Sequence, residues 1–173
     1  MDIHEFYERI FAPRIPLKGA FVEVGLFLGR TITAMGRLRP DLELYGVDSF
    51  DGSMEDGRDL WATYGSMRAA FDAIMQRDAP DVLKRVRLHV GRSDAMLRQF
   101  PDASVDAIYI DGGHSYPVVV GDCVEALRIV KPGGIIGGHD FNVSDVERAV
   151  LEVLGGVELA PEWPPGRSWW RFR

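Results

Sequence analysis

Cysteine is almost missing from this chain: Cys123 is the only one, so no intrachain disulfide forms and stability has to come from a packed core. Cys123 falls among apolar residues of an expected helix, which reads as a buried, inert thiol rather than a nucleophile. There is no long hydrophobic run, and the polar start Met1-Asp2-Ile3-His4-Glu5 does not look like a secretory leader. The expectation is a cytoplasmic protein without membrane contact. Clustered basic charge is scarce. A net charge of -6, with Lys84, Arg85, Arg87, Arg167, Arg171 and Arg173 reading as solvated surface or strand edges, speaks against a nucleic-acid partner. The Gly-x-Gly-x-x-Gly loop of dinucleotide folds is absent, as is any Tyr-x-x-x-Lys pair, and both absences count against a nicotinamide-dependent oxidoreductase.

What is present is an alternation of strands and helices. At 173 residues the chain is expected to form one domain, with residues 1–18 as an N-terminal helix and lead-in. Ile3, Phe6, Tyr7 and Ile10 share one face of a helix over 3–11, which Pro13 and Pro16 should end. Strands are expected at 20–24, 44–48, 86–90, 105–110 and 135–138, with helices at 29–38, 60–77 (kinked near Gly65), 94–99, 116–130 and 144–154. Residues 51–59 read as a loop. Lys131-Pro132-Gly133-Gly134 reads as a helix stop with a turn, and Ser144 with Glu147 as a capping box. Two last strands, 156–160 and 168–172, form an expected antiparallel hairpin across a proline-rich connection. Such alternation gives a Rossmann-like, doubly wound, mostly parallel α/β sheet with an antiparallel C-terminal strand pair. Ligands on such sheets bind beyond the carboxyl ends of the strands, where Glu23, Asp48, Asp111, His139 and Asp140 all fall.

Two apolar runs carry the chemistry. In the first, Gly25-x-x-x-Gly29 follows a strand and opens a helix, allowing close backbone approach and amide donors toward a ligand. Asp48 then ends the next strand, either accepting from the hydroxyls of a ribose or simply capping a turn. Ser93 either borders an adenine or serves as the N-cap of the following helix. In the second, Asp111, His139 and Asp140 close neighbouring strands. They either hold a divalent ion or hydrogen-bond the nearby backbone, and His139 is either a ligand or a base. His114 and His139 are the two candidate general bases. Trp61, Tyr64, Tyr116 and Phe141 are candidate pocket walls. Trp163, Trp169 and Trp170 either form a homo-oligomer interface that completes the pocket or pack the terminal hairpin.

Glu-x-Gly-x-x-x-Gly-Arg, Gly-Val-Asp-Ser-Phe, Ile-Asp-Gly-Gly-His-Ser-Tyr and Lys-Pro-Gly-Gly-x-x-x-Gly-His-Asp-Phe together resemble the class I S-adenosylmethionine-dependent methyltransferases over roughly 19–155. More narrowly they resemble the small bacterial branch of macrocin-type sugar O-methyltransferases and cephalosporin hydroxylase-like proteins. The resemblance implies a seven-stranded sheet with its seventh strand inserted antiparallel. It also implies S-adenosylmethionine as cofactor, with Glu23, Gly25 and Gly29 around its methionine part and Asp48 on its ribose. Phe50 or Ser93 would border the adenine, and Phe27, Ser49 and Asp111 complete the cofactor set. Leu26 departs from the small or polar residue expected there. Acids at the later strand ends hold Mg2+ in related enzymes, which carries over to Asp111 and Asp140, while His139 stands where an acid is usual. The implied activity is O-methylation of a small hydroxylated substrate, with His139, His114 and Asp111 as catalytic residues. The rival readings are a non-catalytic cofactor-binding or assembly protein and a nicotinamide-dependent oxidoreductase.

Overall fold

The computed structural model describes residues 3–51, 60–161 and 167–173. All of the expected loop over 51–59 except Asp51, together with Trp163 and most of the proline-rich connection, lies outside the described residues. The chain enters through α1 (Ile3–Phe6), loosens into a π turn at Tyr7–Phe11 and tightens into a 3-10 turn at Ala12–Arg14. Phe6, Tyr7 and Phe11 are buried. Pro13 does not end this segment. It sits in the first turn of the 3-10 piece, where a missing N–H leaves no bond unmade, and the helical stretch gives way at Ile15.

Seven strands follow: β1 (Ala20–Val24), β2 (Glu43–Asp48), β3 (Val86–Val90), β4 (Val105–Ile110), β5 (Val130–Gly138), β6 (Glu158–Leu159) and β7 (Trp169–Phe172). The helices between them are α2 (Arg30–Leu38), α3 (Met67–Asp78), α4 (Pro80–Leu83), α5 (Ser93–Leu97), α6 (Tyr116–Ile129) and α7 (Ser144–Leu154). Residues 60–64 are also helical; the expected break falls at Gly65 (φ +79), and Ser66 caps α3 by accepting from the Ala69 amide at 3.1 Å. Spatial order is β3-β2-β1-β4-β5-β7-β6. The first five strands run parallel, and β7 lies antiparallel to both β5 and β6.

Side chains alternate between two covered faces. Phe21 and Tyr109 meet Phe6, Tyr7 and Phe11 beneath α2 and α3, while Val22, Val24, Ile108 and Ile110 meet the inner faces of α6 and α7. All six residues of β4 are buried, as a central parallel strand requires. Cys123 is buried in the second layer, where desolvation pushes its thiol up to about 12 and leaves it inert. Among the described residues no helix is long and apolar enough to cross a membrane.

Two local expectations need correction. Lys131-Pro132-Gly133-Gly134 is not a turn ahead of β5 but part of the strand. The β4–β5 register slips between Val105↔Val130 and Ala107↔Ile135, and Gly133 at φ +80 absorbs the bulge. The capping box at Ser144 does not form. Val143 occupies the N-cap position and Ser144 is the first helical residue.

Candidate functional site

The strand order reverses between β1 and β4, and the candidate site opens there. The end of β1 is tied backbone to backbone on both sides: the Asp111 amide after β4 donates to the Val24 carbonyl at 2.7 Å, and the Gly25 amide donates to the Val47 carbonyl of β2 at 2.9 Å. Gly25 has φ +87, and a Cβ there would lie 2.0 Å from the Asp111 carbonyl oxygen, so only glycine fits. Above this junction is a cavity of about 380 Å³. Its walls include Gly25, Phe27, Asp48, Ser49, Phe50, Ser93 and Asp111 of the expected cofactor set, and His114 of the expected bases.

Asp48 organises the first half of this cavity. Its Oδ2 accepts from the Leu26 and Phe27 amides at 2.7 and 3.0 Å, and its Oδ1 accepts from the Phe50 amide at 2.7 Å. The turn-capping alternative is therefore real, yet an ionised carboxylate has about four acceptor sites, which leaves capacity facing the cavity. Phe27 and Phe50 both adopt left-handed backbone (φ +49 and +53), which is strained for an aromatic residue; the same carboxylate clamps both amides. Leu26 turns away from the cavity. It is buried over Gly46, where a Cβ would approach its Cδ1 to 2.6 Å.

Two expected placements change, and one open alternative closes. Glu23 is not among the cavity walls. It is fully buried, Thr31 Oγ1 donates to its Oε1 at 2.5 Å, its Oε2 lacks a partner, and burial pushes its carboxyl well above the usual range. Gly29 borders a second cavity, between α1, α2 and α3. A Cβ there would lie 2.4 Å from Met75 Sδ, so the methionine would have to shift, and the φ of +75 favours glycine. Ser93 is not an N-cap, because Arg92 holds that position and Ser93 starts α5 facing the cavity.

The second half of the site is a carboxylate–imidazole cluster. His114 Nε2 lies 2.9 Å from Asp140 Oδ2, and His139 Nδ1 lies 3.2 Å from Asp140 Oδ1 and 3.9 Å from Asp111 Oδ1. Asp140 is thus the hub, held at φ +56 just beyond β5. Hydrogen bonds from His114 and then His139 hold its carboxyl well below the usual range. The bond to Asp140 raises His139 above the ordinary histidine value. Burial pushes Asp111 up to about 6, against the opposing pull of His139. The His139 amide donates to the Ile110 carbonyl at 3.0 Å, and Trp169 Nε1 donates to the His139 carbonyl at 3.1 Å, so the C-terminal hairpin braces this corner.

One ligand atom each from Asp111, His139 and Asp140 lies within 4.8 Å of the others, which fits a cation in outline. The donor chemistry does not favour magnesium: one of three donors is an imidazole, and both Asp140 oxygens already face imidazoles. His139 is also not a wall of the cavity, whereas His114 is.

None of the four expected aromatic walls lines this cavity. Phe141 packs in the core, and the Tyr116 hydroxyl donates to Glu152 with Arg148 stacked 4.2 Å from its ring. Sequence reasoning also passed over Asp122, a fully buried acid of α6. The signal was available: Val119, Asp122 and Ala126 share one helical face, so an acid stands in an apolar stripe.

Residues 22–141 match the family model described as a methyltransferase domain. A sterol 24-C-methyltransferase of Yarrowia lipolytica is 38% identical over 55 residues, covering 31% of this chain and 14% of that protein. A 2-methyl-6-phytyl-1,4-hydroquinone methyltransferase of Synechocystis is 36% identical over 73 residues, covering 42% of this chain and 22% of that protein. The chain therefore matches less than a quarter of the length of these curated relatives. Among solved structures, a TDP-rhamnose 3'-O-methyltransferase of calicheamicin biosynthesis superposes with a TM-score of 0.61 at 20% identity, covering 96% of this chain and 76% of the other. That likeness establishes the fold.

Proposed function

The chain belongs to the methyltransferase-domain family, and we propose that it is an S-adenosylmethionine-dependent O-methyltransferase acting on a small hydroxylated molecule, a sugar or natural-product intermediate. The observation that carries this reading is the meeting, in one cavity at the switch point of the sheet, of the Gly25 junction, the Asp48 clamp and His114, which is paired with Asp140. The cavity suits the cofactor. The missing Cβ at Gly25 lets loop and strand end close up beneath it, and Asp48 keeps about one acceptor site for a ribose hydroxyl. Phe50 and Ser93 border the base, and Asp111 supplies negative charge toward the amino-acid end. When bound, S-adenosylmethionine supplies a methyl group activated by a positively charged sulfur.

His114 is the base in this proposal. With Nε2 directed at Asp140, its basic nitrogen is Nδ1, and Asp140 stabilises the imidazolium that forms when the acceptor hydroxyl gives up its proton. His139, raised by the same carboxylate and set outside the cavity, positions Asp140 rather than taking the proton. Asp111, His139 and Asp140 would be the residues to hold a divalent ion, but base assistance from His114 needs none, and magnesium is no part of the proposal. The same fold serves a TDP-rhamnose 3'-O-methyltransferase, which makes sugar hydroxyls the first acceptors to test.

The test is calorimetric titration with S-adenosylhomocysteine, followed by an acceptor screen that reads its formation. Micromolar binding that Asp48→Ala weakens supports the reading, and absence of binding to the unaltered protein ends it.

A further inference from the structure

The second cavity, about 720 Å³ and larger than the one at the switch point, takes no part in the function proposed above. It lies between the N-terminal helical segment, α2 and α3, and its size is that of a small-molecule pocket. The two cavities share the loop after β1: Phe27 is a wall of the first, and Leu28 and Gly29 are walls of the second. Leu28, Ala34, Leu38, Ile74, Met75 and Ala79 give the second an apolar lining. Its acids, Glu8 and Asp78, are matched by Arg30 and Arg37, and His4 adds charge only when protonated.

One polar group in this lining has no use in the fold. Tyr7 is fully buried, and its hydroxyl has no hydrogen-bond partner among the described residues. Phe6, Phe11, Phe21 and Tyr109 hold its ring at centroid distances of 5.1 to 6.2 Å, so the side chain cannot swing out to water. Buried polar groups are nearly always paired, and one that is not calls for a partner. Burial also pushes the phenol well above its ordinary range, so it stays protonated and what it lacks is an acceptor. Tyr7 opens the π turn, a rare arrangement that is frequent at functional sites.

We propose that this cavity is a second small-molecule site, separate from the one at the switch point, which takes a neutral ligand with an apolar body and an oxygen that accepts from the Tyr7 hydroxyl. The inference goes beyond the cofactor reading and does not rest on it; it needs only the cavity and the orphaned hydroxyl. Burial of the ligand's apolar body supplies affinity, and the single donor fixes its orientation. A hydrocarbon of the same outline leaves Tyr7 unpaired and loses that bond. An anion meets two acids as well as two arginines and gains nothing by its charge.

The probes are acetophenone, an apolar ring with one carbonyl, ethylbenzene, which has nearly the same outline without oxygen, and benzoate, the anionic counterpart. Amide shifts of the full nitrogen-15-labelled chain report where each binds and how tightly. Acetophenone is expected to move amides in 3–11, 28–38 and 67–79 saturably, and ethylbenzene to bind about three- to tenfold more weakly. Tyr7→Phe deletes only the orphaned hydroxyl and should bring the two constants together. Ile74→Trp fills the cavity, should abolish binding of both, and serves with the ratio in the unaltered protein if Tyr7→Phe does not fold. Each of four results overturns the proposal: no saturable shift, shifts confined to the surroundings of Asp48 and Asp111, benzoate binding as tightly as acetophenone, or a ratio that Tyr7→Phe leaves untouched. The last would mean that water serves Tyr7. Failure of S-adenosylhomocysteine to bind would end the cofactor reading and leave this inference standing.

Discussion

Asp122 destabilises the fold in which it sits. Burial raises its pKa from 3.8 to about 6, so between about pH 4 and pH 6 the folded protein keeps a proton that the unfolded chain has lost. Stability therefore falls as pH rises through that window, by about 3 kcal/mol from this group, and is flat above it. Asp111 is raised in the same direction, so the informative quantity is the difference between variant and unaltered protein. Asp122→Asn should match the unaltered protein near pH 4 and exceed its unfolding free energy near pH 7, read from urea curves at both values. An equal difference at the two pH values would show that Asp122 does not titrate with folding. His114 makes the complementary case at the same scale. It walls the cavity and is tied to Asp140, so His114→Ala should lower kcat about 10²–10⁴-fold with S-adenosylhomocysteine binding largely retained. If kcat is unchanged while His139→Ala abolishes it, the two imidazoles have exchanged roles.

The glycine loop shows how a single element is set by its neighbour. Gly25 meets the carbonyl of Asp111 on the adjacent strand end, and Gly29 meets Met75 of α3. Gly25→Ala must both hold a positive φ and separate two hydrogen-bonded strand ends, so a loss of about 2 kcal/mol or more in unfolding free energy is expected, together with cofactor binding. Gly29→Ala strains the same loop through a flexible methionine that can yield, and should cost less; denaturant midpoints of the two variants give the comparison. Strand cores were legible from runs such as Phe21–Val24 and Ile108–Ile110, because strands buried on both faces are apolar almost throughout, Glu23 being the exception in the first. The ends were less legible. Lys131-Pro132-Gly133-Gly134 has the composition of a turn, yet β4 offers it a pairing partner, and a bulge accommodates residues that local preference would place in a loop. Ser144 has the local chemistry of a cap, but the chain enters α7 one residue earlier, through Val143.

At the scale of the whole molecule, β7 inserted beside β5 is what stiffens the corner at His139 and Asp140. Trp169 is fully buried and its indole N–H reaches the His139 carbonyl. Trp169→Ala should lower stability by about 3–5 kcal/mol, as large core truncations do, and should depress turnover more than cofactor binding, because the support lost lies under His139 and Asp140 rather than under Asp48. Thermal unfolding and a kcat against Kd comparison test both halves. The sequence by itself determined the strand–helix alternation, the glycine junction and the acids at the strand ends, because hydrophobic period and residue type act locally. Tertiary structure alone decided that Glu23 and Gly29 lie outside the cavity at the switch point, and that Asp140 rather than Asp111 joins the two histidines. Those are contacts between residues far apart in the chain, brought together by a strand order that no local pattern records.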